Sequence, residues 1–132
     1  MKLIKQTIVL VFVALMIQCL FVVFSSTPSK PSYHEIEKAV KSKLEQPNMN
    51  DKERWLHISN ASYCNLKITM LRIKEWGSFN EQQKYWPVKI RIAGNANFCV
   101  NENWKQDIDY IFDFMVKKDD HGKWEAILNQ GG

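Results

Sequence analysis

Reactive constellations are what this sequence has least of. Its three histidines, His34, His57 and His121, stand far apart, and none has a second His or Cys at ligand spacing. That argues against a zinc site. The acidic stretch Asp119-Asp120-His121-Gly122 lacks the spacing of a calcium loop. No nucleotide-binding or nucleophile motif stands out, so no catalytic residue, metal or cofactor is nominated. Charge of one sign is not in large excess either. The 132 residues carry 18 basic and 14 acidic side chains, a net charge of +4. With Lys2 and Lys5 set aside, 16 basic face 14 acidic residues, leaving +2. This is no polybasic surface, and nucleic acid is not an expected partner. No internal repeat or low-complexity segment is visible. The length allows one small domain with a single core.

What is there begins with grease. Lys2 and Lys5 precede an apolar run from Ile8 to Phe24, broken only by Gln18, and a polar Pro/Ser-rich spacer, SSTPSKPS, follows. Charged tip, apolar stretch and polar exit form the order of a secretory leader or signal anchor. The run is roughly 17 residues, longer than the about 7–15 of a signal-peptide core and near the lower limit of about 17 for a spanning helix. Residues 1–26 are therefore expected to be a signal peptide or a transmembrane anchor, with the anchor preferred on length. Residues 27–32 form a linker and 33–130 an exported domain. The membrane is contacted through residues 8–24. Two N-terminal lysines favour an inside N-terminus, which places the domain outside an inner (cytoplasmic) membrane, on the periplasmic side. Cleavage near Ser25 leads instead to a secreted or periplasmic protein. Cys19 lies deep in the run after Ile17-Gln18, so it reads as a small apolar residue rather than a lipid-attachment site.

The exported part reads as α+β. Ser32-Tyr33-His34-Glu35 is a capping box. Tyr33, Ile36, Val40 and Leu44 then recur at helical spacing, with Ala39 beside them. Pro47 stops the pattern, so a helix is expected from Tyr33 to about Gln46. Asn50-Asp51-Lys52-Glu53 repeats the cap signature and predicts a short helix to about Ile58, burying Trp55 and Ile58.

Strands follow. Leu66, Ile68 and Met70 alternate with polar residues, then Leu71 and Ile73 do so in the opposite phase, and that slip predicts a β-bulge. After the loop at 77–84, Trp86, Val88, Ile90 and Ile92 share one face with Lys89 and Arg91 opposite, and the parity runs on through Gly94, Ala96, Phe98 and Val100. Ile108, Tyr110, Phe112, Phe114 and Val116 form a third row, and a turn at Gly122 leads to a fourth strand, Trp124–Leu128. The expectation is one amphipathic helix on a four-stranded antiparallel meander, with one dry face and one charged face.

The segments IEKAVKSKL, YWPVKIRIAGNA and FDFMVKKDDHGKWEA, in this order, resemble those of the cystatin-like/NTF2-like α+β domains of small exported bacterial proteins. That resemblance implies a small-ligand pocket, a dimerisation module or a part of a membrane-anchored assembly such as a type IV secretion system. A full NTF2-like cone has three helices, and this chain shows two at most, so a deep pocket is not expected.

Few side chains are singled out. If the strand after Cys64 and the strand before Cys99 form a hairpin centred on loop 77–84, the two cysteines face each other at its far end, within disulfide range. Export into an oxidising compartment favours the bond over two free buried thiols. Asp107, Asp109 and Asp113 read as a solvated face rather than an acid/base or calcium site. Among the five tryptophans, Trp86 and Trp124 fit the core parity, whereas Trp76 and Trp104, with Tyr85, are candidates for a protein interface. Asn60-Ala61-Ser62 is a glycosylation acceptor triplet, relevant only in a eukaryotic source. The expected function is that of a non-enzymatic, membrane-anchored or exported protein-interaction module. The alternatives are a small secreted inhibitor or immunity protein, and an NTF2-like ligand-binding protein or enzyme.

Overall fold

The computed structural model describes residues 27–45, 50, 52 and 55–129. The apolar run at 8–24, Cys19, the cleavage point near Ser25 and the expected helix end at Gln46 lie outside the described residues. Among those described, no helix is long and apolar enough to cross a membrane.

Helix α1, Tyr33–Leu44, starts where the capping box places it. The Ser32 hydroxyl accepts from the Glu35 N–H at 3.2 Å, and the Glu35 carboxylate accepts from the Ser32 N–H at 3.0 Å. Two donors that a helix start leaves orphaned are thus satisfied. Ile36, Ala39, Val40 and Leu44 are buried. Tyr33, expected on the same apolar face, is half exposed and donates its hydroxyl to the Leu71 carbonyl at 2.8 Å.

Five strands follow: β1 Leu56–Ile58, β2 Ala61–Trp76, β3 Trp86–Phe98, β4 Asn101–Lys118 and β5 Trp124–Leu128. They form one antiparallel sheet in chain order, with β3 at the centre. The architecture is α+β, one helix on a five-stranded sheet. The strand count corrects the four-stranded expectation. Leu56–Ile58, expected to end a short helix, is instead a strand paired with Ala61–Tyr63. Alternation decides it: Leu56 and Ile58 are buried and His57 between them is exposed, a period of two that serves a sheet edge.

Alternation places the core. On β3, Trp86, Val88, Ile90, Ile92 and Ala96 are buried, and they pair with or lie beside Leu71, Ile108, Phe112, Phe114 and Val116. Ile36, Val40 and Leu44 of α1 join the same cluster, with Ala126 from β5. Each fully buried Ile, Val or Phe contributes about 1.5–3 kcal/mol relative to exposure. The parity expected to run on to Val100 breaks off earlier. Register shifts between Asn97 and Phe98, Cys99 is buried, and Val100 points to solvent. The β3–β4 connection is only Cys99-Val100, so the chain must reverse there.

The bulge expected near Met70-Leu71 is present as a register shift between Ile68 and Met70, with two more at Cys64/Lys67 and Ile73/Glu75. Asn65, at φ 53°, sits inside the first, a conformation that Asn tolerates better than most residues. The shifts bring β2 close onto β3 at Gly94. A Cβ built there would fall on the Lys67 carbonyl oxygen and within 3.1 Å of the Ile68 Cα. Gly94 is thus fixed by a close backbone approach.

Gly94→Ala is expected to destabilise the domain by more than about 2 kcal/mol, because the clash is with backbone that cannot swing away. A urea titration checks it: an unchanged midpoint would mean that β2 does not lie where described.

Candidate functional site

Cys64 and Cys99 form a disulfide, with Cα atoms 5.2 Å apart. The bonded pair is not the laddered pair. The middle of the hairpin keeps the register expected from the 77–84 loop, Ile73 with Ile90 and Leu71 with Ile92. The shifts then carry Cys64 opposite Asn97, so that Cys99 is reached just past the end of β3. Cys99 N–H donates to the Ser62 carbonyl at 3.0 Å, holding that corner in place. The rings of Tyr63 and Phe98, next in sequence to the two cysteines, lie 5.3 Å apart, and Trp104 meets Phe98 edge-on at 6.3 Å.

The three residues considered for an interface do not meet in one place. Trp76 and Tyr85 lie at the β2–β3 loop end of the sheet. Trp104 lies beyond the other end of β3. Trp76 is half-buried and stands edge-on to Trp86 at 6.1 Å, with Phe79 5.1 Å from Trp86 on another side. Lys30 caps this cluster, its Nζ 5.3 Å from the centroids of both indoles, an arrangement in which the ring quadrupoles attract the cation. The linker is thereby held against the sheet. Trp86 Nε1 is buried with no hydrogen-bond partner among the described residues. Tyr85 is half-buried and its hydroxyl accepts from the Asn80 amide at 3.4 Å.

Trp104 is different: it is 63% exposed. Three other large apolar residues are exposed on the same strand or the turn before it, Val100 at 84%, Ile111 at 56% and Tyr110 at 47%, with Tyr110 roughly 20 Å along the strand from Trp104 and Ile111 on the opposite face of the sheet. All four belong to β4 or the turn that starts it. Sequence reasoning nominated only Trp104 of these. Val100 and Tyr110 fall on the inward parity, and their exposure depends on where β5 and the helix stop. Ile111 sits among aspartates on the charged face, and an apolar residue out of phase was its only signal.

The carboxylates are engaged in ordinary surface pairings. Asp109 accepts from Arg91 Nε and Nη2 at 2.8 and 2.7 Å, a two-pronged contact. Arg91 stands directly opposite Arg72 and Ile111, so it reaches diagonally for its partner. Asp113 accepts from Lys89 Nζ at 3.0 Å. Asp119 Oδ1 accepts from the backbone N–H of His121 and Lys123, closing the turn in which Gly122 has φ 76°. The guanidinium of Arg91 holds the Asp109 carboxyl below its ordinary range, and the Lys123 N–H does so for Asp119. The Ser32 backbone and hydroxyl lower Glu35. No group of three metal-ligating side chains converges among the described residues.

One cleft, of about 690 Å³, opens between α1 and the β4–β5 hairpin, lined by Glu35, Lys38, Lys43, Asp119, Lys123 and Trp124 among others. Its charges alternate in sign, and no buried polar group points into it among the described residues. The space beneath the helix is filled by the apolar core.

No family model matches this chain, and no curated protein or solved structure is significantly similar to it.

Replacing both Cys64 and Cys99 by Ala is expected to lower stability by about 3–4 kcal/mol, the chain-entropy value for a loop of this length. A denaturant midpoint reads the loss, and two free thiols in the unreduced exported domain would contradict the bond.

Stability should also fall on the acid side. Glu35, Asp109 and Asp119 titrate lower in the folded state, so the unfolded chain binds protons first as pH drops. Their stabilisation is complete above the ordinary values of 4.5 and 3.8 and is lost as pH falls through these toward the folded values. Asp109→Asn should flatten part of that slope in urea midpoints taken at successively lower pH. An identical slope in the variant would remove Asp109 from the account.

Proposed function

We propose that the chain is a non-enzymatic, membrane-anchored or exported protein-interaction module, with its folded domain outside the cytoplasmic membrane. The observation that carries this reading is the exposure of large apolar side chains on β4, Trp104 and Tyr110 on one face and Ile111 on the other, in an otherwise charged small domain. Aromatic residues are enriched at protein contacts, and a strand left open at a sheet edge offers backbone groups to another chain. The Cys64–Cys99 disulfide supports an oxidising compartment. The apolar run at 8–24, behind Lys2 and Lys5, supports delivery there with the N-terminus inside. The resemblance to cystatin-like/NTF2-like domains in membrane assemblies belongs to this proposal. An NTF2-like ligand site is less favoured, because the space between helix and sheet is occupied by side chains.

Full-length chain carrying an affinity tag, extracted from membranes in mild detergent, should bring down a stoichiometric partner, whether another protein or an untagged second copy. Trp104→Ala combined with Ile111→Ser should lose it while the far-UV circular dichroism is unchanged. Recovery of monomer alone, or a partner indifferent to the double variant, would overturn the reading.

A further inference from the structure

The sheet has two open edges, and they are treated differently. β1 covers β2 only along Ala61–Tyr63. Beyond that, side chains close the β2 edge: the Ile68 N–H donates to the Glu45 carboxylate at 3.0 Å, and the Leu71 carbonyl takes the Tyr33 hydroxyl. β5 covers β4 only along Phe114–Lys118, with the Asn129 N–H added on the Asp113 carbonyl. From Lys105 to Phe112, β4 has β3 on one side and, among the described residues, no paired strand on the other.

The direction of the free groups follows from Asp113. Its carbonyl faces the β5 side, so alternate residues Ile111, Asp109, Asp107 and Lys105 turn their N–H and C=O the same way, outward. A strand placed there would satisfy a row of backbone groups and cover the exposed rings of Trp104 and Tyr110.

We propose that this strand is β4 of a second copy, paired antiparallel about a two-fold axis at Gln106. The inference rests on the interaction-module reading and names its partner. Side-chain charge favours this register over its immediate neighbours: an axis at Lys105 sets Lys105 against itself. An axis at Asp107 sets Asp107 against itself. An axis at Ile108 sets Asp107 against Asp109 twice. Axes at Asp109 or beyond bring two aspartates together or drive the incoming strand toward β5. An axis at Gln106 sets Lys105 against Asp107 twice on the charged face, where opposite charges across strands are favourable. On the other face it sets the exposed Trp104 of each copy against Ile108 of the other, one residue pair from Tyr110. Closure by a two-fold leaves no further edge of this kind open.

The two Gln106 residues then face each other as a non-hydrogen-bonded pair, with Cα atoms about 4.5 Å apart, inside the range for a disulfide of about 4.4–6.8 Å. The test uses the full chain in detergent with Cys19→Ser, so that the apolar run cannot crosslink. Gln106→Cys should give a covalent dimer under mild oxidation, and Tyr110→Cys should not. Lys105→Asp should weaken the non-covalent dimer by at least roughly tenfold in sedimentation, because two favourable pairs become repulsive. Adding Asp107→Lys should restore it. A monomer at all concentrations, crosslinking at Tyr110 but not at Gln106, or a dimer indifferent to the charge reversal would each overturn the proposal. A different protein recovered in place of a second copy would also overturn it, while leaving the interaction-module reading intact.

Discussion

The fold depends on the alternation of β3 from Trp86 to Ile92, whose inward row is dry. Val88, Ile90 and Ile92 are buried almost completely, with Lys89 and Arg91 between them on the charged face. Both neighbouring strands take their register from this one, and α1 packs on the dry row they jointly present. A one-residue slip of β3 would turn every one of these side chains over. The bulges in β2 are consequences of that constraint. β2 changes phase at Met70-Leu71, and it keeps Ile68 and Leu71 inward only by letting register shift between them. Gly94 is the place on β3 where the shifted backbone comes nearest.

The same constraint explains what could be read from the sequence. The β3 row, the helix face of Ile36, Val40 and Leu44, and the Gly122 turn are strong local patterns, and local pattern and tertiary position agree in each. The disulfide was legible because hairpin pairing is arithmetic about a loop, and its one error, the shift to Asn97, is small beside the reach of two cysteine side chains. β1 was hidden for a physical reason. Its three residues are too few to show a period, and the cap-like Asn50–Glu53 just before them speaks for a helix. The length of β2 was hidden too, since Ser62 and Asn65 dilute the alternation that pairing with β3 and the Cys64–Cys99 bond enforce. The exposure of Tyr110, on the inward parity, was hidden because it depends on where β5 ends, a tertiary fact with no local signature.

The two sheet edges also carry different information about how the domain avoids indiscriminate pairing. On β2, closure is by residues from α1, Tyr33 and Glu45, so the helix covers the core and caps an edge at once. That helix is itself held at its start by the capping box and tied down through the linker by Lys30 against Trp76 and Trp86. Loosening any of these contacts would uncover backbone groups on β2 as well as apolar area beneath the helix. Stability and edge protection are coupled on that side of the molecule.

On β4 the aspartates bear on the argument in two ways. Charged residues on an edge strand discourage casual strand addition, and Asp107, Asp109 and Asp113 all lie on β4. Asp109 and Asp113 are also held by Arg91 and Lys89 of the neighbouring strand. Asp107 stands opposite Asn95, and no ion pair holds it among the described residues. Lys105 lies two residues before Asp107 on the same face. An edge so marked disfavours registers that bring like charges together and favours the one that sets Lys105 against Asp107. The charge pattern and the exposed Trp104 then have a common explanation: the acidic residues restrict which strand can approach, and the aromatic supplies the apolar contact once it has.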